Sequence, residues 1–511
     1  MKRILLWMVL VSAVILIVGC EEQTTNGENQ ESEFNPHNDT YYQIFVRSFA
    51  DSDGDGIGDL NGITENLDYI EDFGATAIWL LPINPSPTYH GYDVTDYYDI
   101  NEDYGTMDDF KDLIEEARSR DIEILIDLPI NHTSDQHPWF VSAQDPLSEY
   151  RDFYVWEDGN AFESFVGGMK DLNLENEAVV SEIESIMEFY LEMGVHGFRL
   201  DAAKHFFDKP GVVGANLKSA LFINELNLAL EEDYPDSYIV SEVFDYQDFV
   251  YPDYYIGSDS VYNFFGQKTI LDKVGLGNNR SLFVRNFERF YDNIREVDPD
   301  FVDAPFLTNH DLDRLASTPG FSSHDSLAKL KLASRILLTL PGSPFIYYGE
   351  ELGMKGYRDY ANDGQNVPGY GIAYDEYRRT PFLWGDSEIE TTWFPDQQNF
   401  ATPSLAEQKE DEESLYHTYR TMNHLRLDHV ALRYGNEFLP YRENDVFIQG
   451  YVRSYQDGDH DQALLILHNL SSSDTFDLDL EYEELIHGDL ELEPYGSLIV
   501  EIDPDLIEDY T

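Results

Sequence analysis

The chain has 511 residues, of which 42% are hydrophobic and 14% aromatic, so it can bury a large core and is not intrinsically disordered. Asp and Glu number 99 against 32 Lys and Arg, a formal net charge of -67. Such a charge repels nucleic acid phosphates and anionic lipid, so we expect neither as a partner. Cys20 is the single cysteine, which excludes an intrachain disulfide and a thiolate metal cluster.

The N-terminus has the pattern of an export signal. Two basic residues precede an apolar run over 4–18, which is short for a membrane span and normal for a signal peptide. The run leads into Ile17-Val18-Gly19-Cys20, which resembles the lipobox of bacterial lipoproteins, where the cysteine is lipidated. We expect a signal peptide at 1–19, a polar tether at 20–38 and an extracellular lipoprotein anchored to the outer face of the cytoplasmic membrane through Cys20. The alternative is an ordinary signal peptide cut near Gly19.

After residue 40, short β-branched runs alternate with amphipathic stretches, which is typical of buried parallel strands separated by helices. We predict eight strands, at Tyr42–Ser48, Ala77–Leu81, Glu123–Leu128, Gly197–Leu200, Tyr238–Val243, Ser260–Phe264, Pro305–Thr308 and Phe345–Tyr348. Eight such units indicate an α/β fold, a (β/α)8 barrel over 39–131 and 173–433. The long gap after the third strand predicts an inserted subdomain at 132–172.

The pattern changes near the C-terminus. Helical stretches at Met107–Arg120, Val179–Met193 and Glu413–Arg426 give way to alternating strands at Ala463–His468, Thr475–Leu480 and Ser497–Ile502. Alternation of apolar and polar residues is typical of antiparallel sheets with one solvated face. Residues 434–511 are therefore predicted to form a C-terminal antiparallel β-sandwich domain.

Acidic residues stand at the ends of four predicted strands: Asp127, Asp201, Glu242 and Asp311. In such a barrel the chemistry lies at the carboxyl ends of the strands, where these acids would repel each other. Glycoside hydrolysis needs this arrangement, because one carboxylate attacks the anomeric carbon and a second carboxyl group protonates the leaving oxygen. A metal site is the alternative explanation for any one of these acids.

Several segments resemble the motifs of glycoside hydrolase family 13, the α-amylase family. They are DLPINH (127–132), GFRLDAAKH (197–205), EVF (242–244), FLTNHD (306–311), HGYDVTDY (90–97), MKDLN (169–173) and GSPFIYYGEE (342–351). The resemblance covers about residues 40–430 in the order of the family. Within the family it points to the bacterial secreted α-amylases between the oligo-1,6-glucosidases and the neopullulanases.

The resemblance implies a role for each matching residue. Asp201 is the nucleophile, Glu242 the general acid/base and Asp311 the third carboxylate, which binds sugar hydroxyls. Asp127 is more often structural in this motif. The substrate-binding residues that the resemblance implies are Tyr92, His90, His132, Arg199, Lys204, His205 and His310; among them, Arg199 orients Asp201 and Tyr92 offers a stacking face.

The sequence contains features of more than one substrate preference within the family. Lys204 and His205 resemble the pair of α-amylases that contacts leaving-group sugars, whereas Arg379-Thr380-Pro381 resembles the oligo-1,6-glucosidase branch, and Lys170 stands where the intermediate group has proline. We expect a monomeric, retaining α-amylase that cleaves α-1,4-glucosidic bonds in starch and maltodextrins. The alternatives are an exo-acting α-glucosidase or oligo-1,6-glucosidase, a transglycosylating relative, and a non-catalytic carbohydrate-binding relative.

An acidic loop after the first strand predicts a structural Ca²⁺ site. Its pattern D-x-D-x-D-G matches the start of an EF-hand loop but lacks the final glutamate. The predicted ligands are Asp51, Asp53, Asp55, Ile57 and Asp59, and the alternative is a solvated acidic turn. The family resemblance implies a second calcium site that uses Asn131 and the backbone carbonyl of His205.

The acidity of the chain also predicts a habitat. Without residues 1–19 the charge is 30 minus 99, or -69. High salt screens the self-repulsion of such a chain. We expect an enzyme of a salt-loving bacterium; the alternative is acidity suited to an alkaline medium or to solubility.

Overall fold

The computed structural model describes residues 38–510 except 166, 278–281, 359–365, 368–370, 373–374, 397, 436 and 458–459. The strands in this part of the chain are β1 Tyr41–Ile44, β2 Ala77–Leu80, β3 Glu123–Leu128, β4 His132–Ser134, β5 Trp156–Glu157, β6 Asn160–Ala161, β7 Met169–Asp171, β8 Gly197–Leu200, β9 Tyr238–Ser241, β10 Ser260–Val261, β11 Phe345–Tyr347, β12 Asn366–Val367, β13 Gly371–Ile372, β14 Leu439–Tyr441, β15 Ile448–Asp457, β16 His460–Asn469, β17 Phe476–Asp477, β18 Glu484–His487, β19 Glu491–Leu492 and β20 Ser497–Ile502. The α-helices are α1 Val46–Phe49, α2 Leu60–Glu65, α3 Leu67–Phe73, α4 Met107–Arg118, α5 Pro138–Ala143, α6 Glu177–Met193, α7 Ala215–Leu230, α8 Phe264–Ile270, α9 Phe283–Arg295, α10 Ser326–Thr339, α11 Leu405–Lys409, α12 Leu415–Asp428 and α13 Val430–Arg433.

Seven strands form a parallel sheet in the order β10-β9-β8-β3-β2-β1-β11. Two single bridges, Tyr262 to Ala304 and Phe306 to Phe345, close the gap between β10 and β11. The predicted seventh strand, Pro305–Thr308, is thus reduced to bridge contacts, because a proline has no N–H to donate to a ladder. The barrel fold is confirmed.

Two predicted strands extend at least three residues too far. The first, Tyr42–Ser48, ends at Ile44, because the chain turns there into α1 and enters the acidic loop. The sixth, Ser260–Phe264, ends at Val261, because the Asn263 side chain accepts a hydrogen bond from the Gly266 N–H and starts α8 as its N-cap. Both corrections fall at carboxyl ends of strands, where the chain leaves the sheet.

Aromatic side chains fill the barrel interior. Tyr41 stacks on Phe345 with ring centroids 4.4 Å apart, and the Trp79 ring lies 5.4 Å from that of Tyr262. All four side chains are almost completely buried. The interior is therefore a packed core, and the open space lies at the ends of the strands.

The predicted insertion at 132–172 contains short elements. β4 pairs antiparallel with β7, β5 pairs with β6, and α5 lies between them in the chain. Because β4 begins directly after the third barrel strand, this pairing fixes His132 next to the cavity. The helices predicted on both sides of the insertion are present as α4 and α6.

The C-terminal residues form an antiparallel sheet in the order β14-β15-β16-β20-β18, beside a two-stranded pair of β17 and β19. The predicted strand Thr475–Leu480 is only the two-residue β17. Arg453 of β15 ties this sheet to the barrel, because its Nη1 donates to the carbonyl of Thr339 at 2.6 Å, at the end of α10. The C-terminal antiparallel sheet is confirmed, whereas the exact domain boundaries stay predictions.

The signal peptide at 1–19, Cys20 and most of the tether at 20–38 lie outside the described residues. Within the described part of the chain, no helix combines the length and apolar character that a membrane crossing requires.

Candidate active site

Acidic side chains meet at the carboxyl ends of the barrel strands. Asp201 directly follows β8 and Glu242 directly follows β9. Both line one cavity of about 790 Å³ together with Asp311. Asp127 is fully buried within β3 and lies outside the cavity lining. The structure thus places the three predicted catalytic carboxylates around a single cavity.

One guanidinium group holds these acids in place. Arg199 is 1% exposed and lies two residues before Asp201, so both side chains leave the same face of the strand. Its Nη1 donates to Asp201 Oδ1 at 2.7 Å and to Asp127 Oδ1 at 2.8 Å. Its Nη2 lies 3.1 Å from Glu242 Oε2. Arg199 therefore contacts both residues of the predicted nucleophile and acid pair.

Glu242 is in an environment that favours its protonated form. Burial raises the pKa of Glu242 to about 7; Arg199 opposes the rise and Asp201 adds to it. The N–H of Ala202, which has a φ of 54°, donates to Glu242 Oε2 at 2.9 Å. A carboxyl group with a pKa near neutrality can give its proton to a leaving oxygen and take one back.

The other two carboxylates differ from Glu242. Burial raises the pKa of Asp201, but Arg199 limits the rise. Burial also opposes ionisation of Asp311, yet the hydrogen bond with His310 and the charge of Arg379 hold its pKa below the ordinary value. Because the environments of Glu242 and Asp311 push their pKa values apart, Glu242 is better suited than Asp311 to donate a proton.

Arg379 is a second buried arginine of the site. Its Nη2 lies 3.2 Å from Asp311 Oδ1 and also contacts Asp375, which accepts a hydrogen bond from the Tyr89 hydroxyl. From the sequence, Arg379-Thr380-Pro381 was interpreted only as a mark of the oligo-1,6-glucosidase branch, although this motif was also a signal for the site. No motif in the sequence marked Asp375.

Tyr92 lines the cavity, and the buried His310 lies against it. The Gln43 amide lies 2.8 Å from His310 Nδ1, and the Tyr92 hydroxyl lies 2.6 Å from His310 Nε2. Burial lowers the pKa of His310 to about 4, so its ring is neutral at pH 7. With the Gln43 amide donating to Nδ1, Nε2 carries the proton and faces Asp311 Oδ2 at 3.0 Å. The Tyr92 ring stacks on His310, and its hydroxyl donates to Asp127 Oδ2.

His132 offers a free polar atom to the cavity. Its Nε2 is buried and has no hydrogen-bond partner in the described part of the chain. Burial lowers the pKa of His132 to about 4, so the ring is neutral. A buried polar atom without a partner is costly, and a sugar hydroxyl would satisfy it. His90 also lines the cavity and accepts a hydrogen bond from the Tyr92 N–H at 3.1 Å.

Lys204 and His205 line the same cavity as Glu242. They belong to a 3₁₀ turn, Ala203–His205, that begins two residues after Asp201. The His205 ring lies 5.1 Å from that of Phe165, a cavity residue that the sequence analysis missed. Of the seven predicted substrate-binding residues, five line the cavity: Tyr92, His90, His132, Lys204 and His205. The other two, Arg199 and His310, do not line the cavity; Arg199 contacts Asp201 and Glu242, and His310 contacts Asp311.

The acidic loop after β1 brings three carboxylates together. Oxygens of Asp51, Asp53 and Asp59 lie within 4.8 Å of one another, and ligands of one Ca²⁺ ion are at most about 5 Å apart. This donor set fits a hard divalent cation. Asp55 lies outside this cluster, and its Oδ1 accepts a hydrogen bond from the Ile57 N–H at 2.7 Å.

Asn131 was predicted to bind a second calcium ion, but in the structure its side chain contacts a lysine. Its Oδ1 accepts a hydrogen bond from Lys209 Nζ at 2.8 Å, and the same ammonium group contacts the fully buried carboxylate of Asp171. The second oxygen of Asp171 accepts from the Ser164 N–H at 2.8 Å. A protein cation thus occupies the position expected for the second calcium, and the residues present do not fit a metal there.

The comparison with known families agrees with this geometry. Residues 43–166 and 162–435 match the family model described as "Alpha amylase, catalytic domain". The chain belongs to the α-amylase family, glycoside hydrolase family 13. As a member of this family it is a glycoside hydrolase that acts on α-glucans.

Similar members of the α-amylase family cover nearly the whole chain. Alpha-amylase 3 of Dictyoglomus thermophilum is 38% identical over 91% of this chain and 93% of the relative. A 4-alpha-glucanotransferase of Thermotoga maritima is 32% identical over 90% of this chain and 99% of its own. The crystal structure of an alpha-amylase from H.orenii superposes with a TM-score of 0.76 at 36% identity, over 92% and 98% of the two chains.

Proposed function

We propose that this protein is a retaining α-amylase that hydrolyses internal α-1,4-glucosidic bonds of starch and maltodextrins. The observation that carries the proposal is the contact of one guanidinium, that of Arg199, with both Asp201 and Glu242. It supports an ionised nucleophile beside a carboxyl group whose pKa burial raises to about 7. Asp201, Glu242 and Asp311 are all present, which argues against a non-catalytic relative.

In the first step, the Asp201 carboxylate attacks the anomeric carbon and Glu242 gives its proton to the leaving oxygen. This forms a glycosyl ester on Asp201 and releases the sugar on the leaving-group side. The transition state resembles an oxocarbenium ion, so its positive charge is stabilised by ionised Asp311 at the same cavity.

In the second step, Glu242 takes a proton from water, which attacks the same anomeric carbon and breaks the ester. Two displacements at one carbon restore the α configuration. A Glu242 pKa near neutrality suits both directions of proton transfer, because the group works as an acid and then as a base.

The choice of α-amylase over its relatives rests on the leaving-group side of the cavity. Lys204 lines the cavity and contacts the segment that follows Glu242, His205 lines the same cavity, and a relative 38% identical to this chain is named an alpha-amylase. The competing candidate is a transglycosylating or exo-acting enzyme. It is favoured by Arg379-Thr380-Pro381 and by the similarity to a 4-alpha-glucanotransferase.

The product profile on amylose and on maltoheptaose tests this function, with the anomers followed by NMR. We expect α-anomers at early times and a rapid fall in amylose chain length. Glucose released alone from chain ends would assign an exo-acting enzyme, and products longer than maltoheptaose would assign a transferase. An inverted product at early times would exclude the mechanism.

We also propose that Ca²⁺ binds the acidic loop as a structural ion. Asp51, Asp53 and Asp59 would hold it, since their carboxylate oxygens already lie within reach of one ion. When bound, the ion supplies charge compensation and loop rigidity, and it takes no part in the chemistry at Asp201.

For the location of the enzyme, we propose a monomer that is exported and anchored to the outer face of the cytoplasmic membrane. Supporting this are the apolar run over 4–18 and Cys20 at the lipobox position. Metabolic labelling with a radioactive fatty acid tests the anchor. The parent should carry label, and a Cys20→Ser variant should carry none; equal labelling would exclude the anchor.

A further inference from the structure

A salt bridge joins the loop after the nucleophile to the loop after the acid/base residue. Lys204 Nζ donates to Asp245 Oδ2 at 2.8 Å and to the carbonyl oxygen of Phe244 at 3.3 Å. The two charged side chains are 31% and 11% exposed, so the bridge is partly shielded from solvent. It connects the turn that follows Asp201 with the segment that follows Glu242.

The carboxylate of Asp245 is held by its own loop, independently of the lysine. Its Oδ1 accepts hydrogen bonds from the backbone N–H and the side-chain amide of Gln247, at 3.0 and 3.3 Å. The Tyr251 hydroxyl donates to the Asp245 carbonyl at 2.5 Å. Burial opposes ionisation, but the hydrogen bonds from Lys204 and Gln247 hold the pKa of Asp245 below its ordinary value. Asp245 is therefore an ionised anchor, and Lys204 is the group that it positions.

The bridge decides where the ammonium of Lys204 points. An ammonium group has three N–H donors, and Asp245 and the Phe244 carbonyl accept two of them. The third is available to the cavity, which Lys204 lines with Glu242 and Phe244. Because Glu242 protonates the leaving oxygen, this part of the cavity receives the leaving-group sugars.

The same loop presents aromatic rings to solvent. Phe244 and Tyr246 are 48% and 42% exposed, with ring centroids 5.5 Å apart. Phe244 and Tyr246 flank Asp245 in the sequence. The contact between Asp245 and Lys204 therefore also fixes the backbone that carries these two rings. Exposed aromatic rings beside a sugar cavity suit the apolar faces of a glucan chain.

We propose that Asp245 is a positioning residue for the leaving-group side of the cleft: it fixes Lys204, and with it the loop of Phe244 and Tyr246, for binding of an α-glucan beyond the cleavage point. This inference rests on the proposed function. Asp245 touches no reacting atom in this arrangement, and it acts through Lys204.

The test compares Asp245→Asn with a control on the same segment, Asp248→Asn. Asp248 pairs with Arg289 at 2.9 Å and does not line the cavity. Two substrates are used: maltoheptaose, which extends over the leaving-group side, and 4-nitrophenyl α-maltoside, whose leaving group is a single ring. Binding of maltoheptaose is also titrated calorimetrically in an Asp201→Asn background.

For Asp245→Asn on maltoheptaose, we expect KM to rise three- to tenfold and kcat to stay within twofold of the parent. On the nitrophenyl substrate, both KM and kcat should stay within twofold of the parent. Asp248→Asn should leave all four unchanged. Lys204→Met should give the same split, and the double variant should add less than the sum of the single effects. In the calorimetric arm, Asp245→Asn should weaken maltoheptaose binding by the same factor.

Other results overturn the inference. Equal losses on both substrates with a lower melting temperature would assign Asp245 a merely structural role, and unchanged constants on both would show that it positions nothing. Additive effects of Asp245→Asn and Lys204→Met would show that the two act separately. If the parent binds maltoheptaose but does not hydrolyse it, the proposed function fails, and the calorimetric arm still decides the role of Asp245.

Discussion

At the scale of single residues, two buried arginines decide which acids of the cavity are ionised. Arg199 contacts Asp201 and Glu242, whereas Arg379 contacts Asp311. Burial alone would favour the protonated forms of Asp201 and Glu242. Arg199 opposes that rise and Glu242 keeps a pKa of about 7, whereas the hydrogen bond with His310 and the charge of Arg379 keep Asp311 ionised.

The pKa of Glu242 predicts the alkaline limit of activity. Glu242 must be protonated to act as an acid, so kcat/KM should fall as the pH rises through about 7. The rate is measured on maltotriose between pH 4 and pH 9, with α-maltosyl fluoride as the control. Fluoride leaves without protonation, so its alkaline limb should be absent. The same limb on both substrates would remove Glu242 from the acid role.

The proposed role of Asp201 as the nucleophile leads to a second prediction. Asp201→Asn cannot form the glycosyl ester, so kcat on maltoheptaose should fall by at least about 10³-fold; loss of the nucleophile in another hydrolase costs about 10⁶-fold. Calorimetric titration should show maltoheptaose affinity within about threefold of the parent. A variant that retains a tenth of the parental turnover would contradict the assignment.

Residues inside motifs could be predicted from the sequence, and residues outside motifs could not. Strand alternation in Arg-x-Asp places Arg199 beside Asp201, which is a local rule. Asp375 lines the cavity and contacts Arg379 of its own segment, in a loop that no motif marked. Asp245 reaches the cavity through Lys204, and this contact depends on how loops from different strands meet. Nothing in the spacing of residues along the chain contains that information.

At the scale of elements, Lys209 joins the inserted segment to the barrel. Its ammonium group contacts Asn131 after β3 and Asp171 in β7. The Lys209 and Asp171 side chains are 6% and 0% exposed, so the charge pair is buried. A lysine supplied by the chain replaces a metal that the family resemblance implied, and chelators cannot remove it.

Breaking this pair should destabilise the protein. Lys209→Met leaves the Asp171 carboxylate buried without its cation, so the free energy of unfolding should fall by about 3 kcal/mol, the usual cost of removing one partner of a buried ion pair. Lys218→Met is the control, because Lys218 and Glu175 form an exposed pair. Urea unfolding measures both variants. Equal effects would show that Lys209 contributes no more than a surface lysine.

The acidic loop after β1 allows a separate test. Ca²⁺ that binds only the folded state raises the melting temperature, and tighter binding at the same Ca²⁺ concentration raises it further. The cluster contains Asp53 but not Asp55, so Asp53→Ala should reduce the stabilisation by Ca²⁺ more than Asp55→Ala does. Melting curves with 5 mM Ca²⁺ and with chelator measure this. Unchanged calcium content in a variant lacking both acids would exclude the loop as the site.

Strands were predictable where apolar runs are buried on both faces, as in β2, β3 and β8. The errors fall where a polar contact or a proline ends the pattern. Pro305 cannot donate to a ladder, and the Asn263 side chain starts a helix inside an apolar run. A missing backbone donor at Pro305 and a side-chain cap at Asn263 therefore outweigh the hydrophobic pattern that predicted each strand.

At the scale of the whole molecule, the fold must tolerate a large excess of one charge. Acidic groups outnumber basic ones about three to one, so local ion pairs cannot cancel the excess. Several of the few arginines are also buried, among them Arg314, Arg426 and Arg453, and these cannot pair with surface acids. The surface therefore depends on dissolved cations for screening.

We propose that this acidity is an adaptation to high salt. A folded chain of this mass exposes about 19,000 Å². A net charge of -69 without residues 1–19 (30 minus 99) then leaves one charge per about 280 Å², so neighbouring charges lie about 17 Å apart. The Debye length is about 8 Å at 0.15 M salt and about 3 Å at 1 M, so molar salt removes most of the repulsion that low salt leaves.

The melting temperature should therefore be higher in 2 M NaCl than in 0.05 M NaCl, and starch hydrolysis should persist in molar NaCl or KCl. Both melting curves are recorded with saturating Ca²⁺, so that loss of metal does not enter the comparison. A third curve in 2 M choline chloride separates screening from specific binding of Na⁺, because screening depends on ionic strength alone. An unchanged or lower melting temperature in 2 M NaCl would reject salt adaptation and leave acidity suited to an alkaline medium, while the assignment of Asp201 and Glu242 would stand.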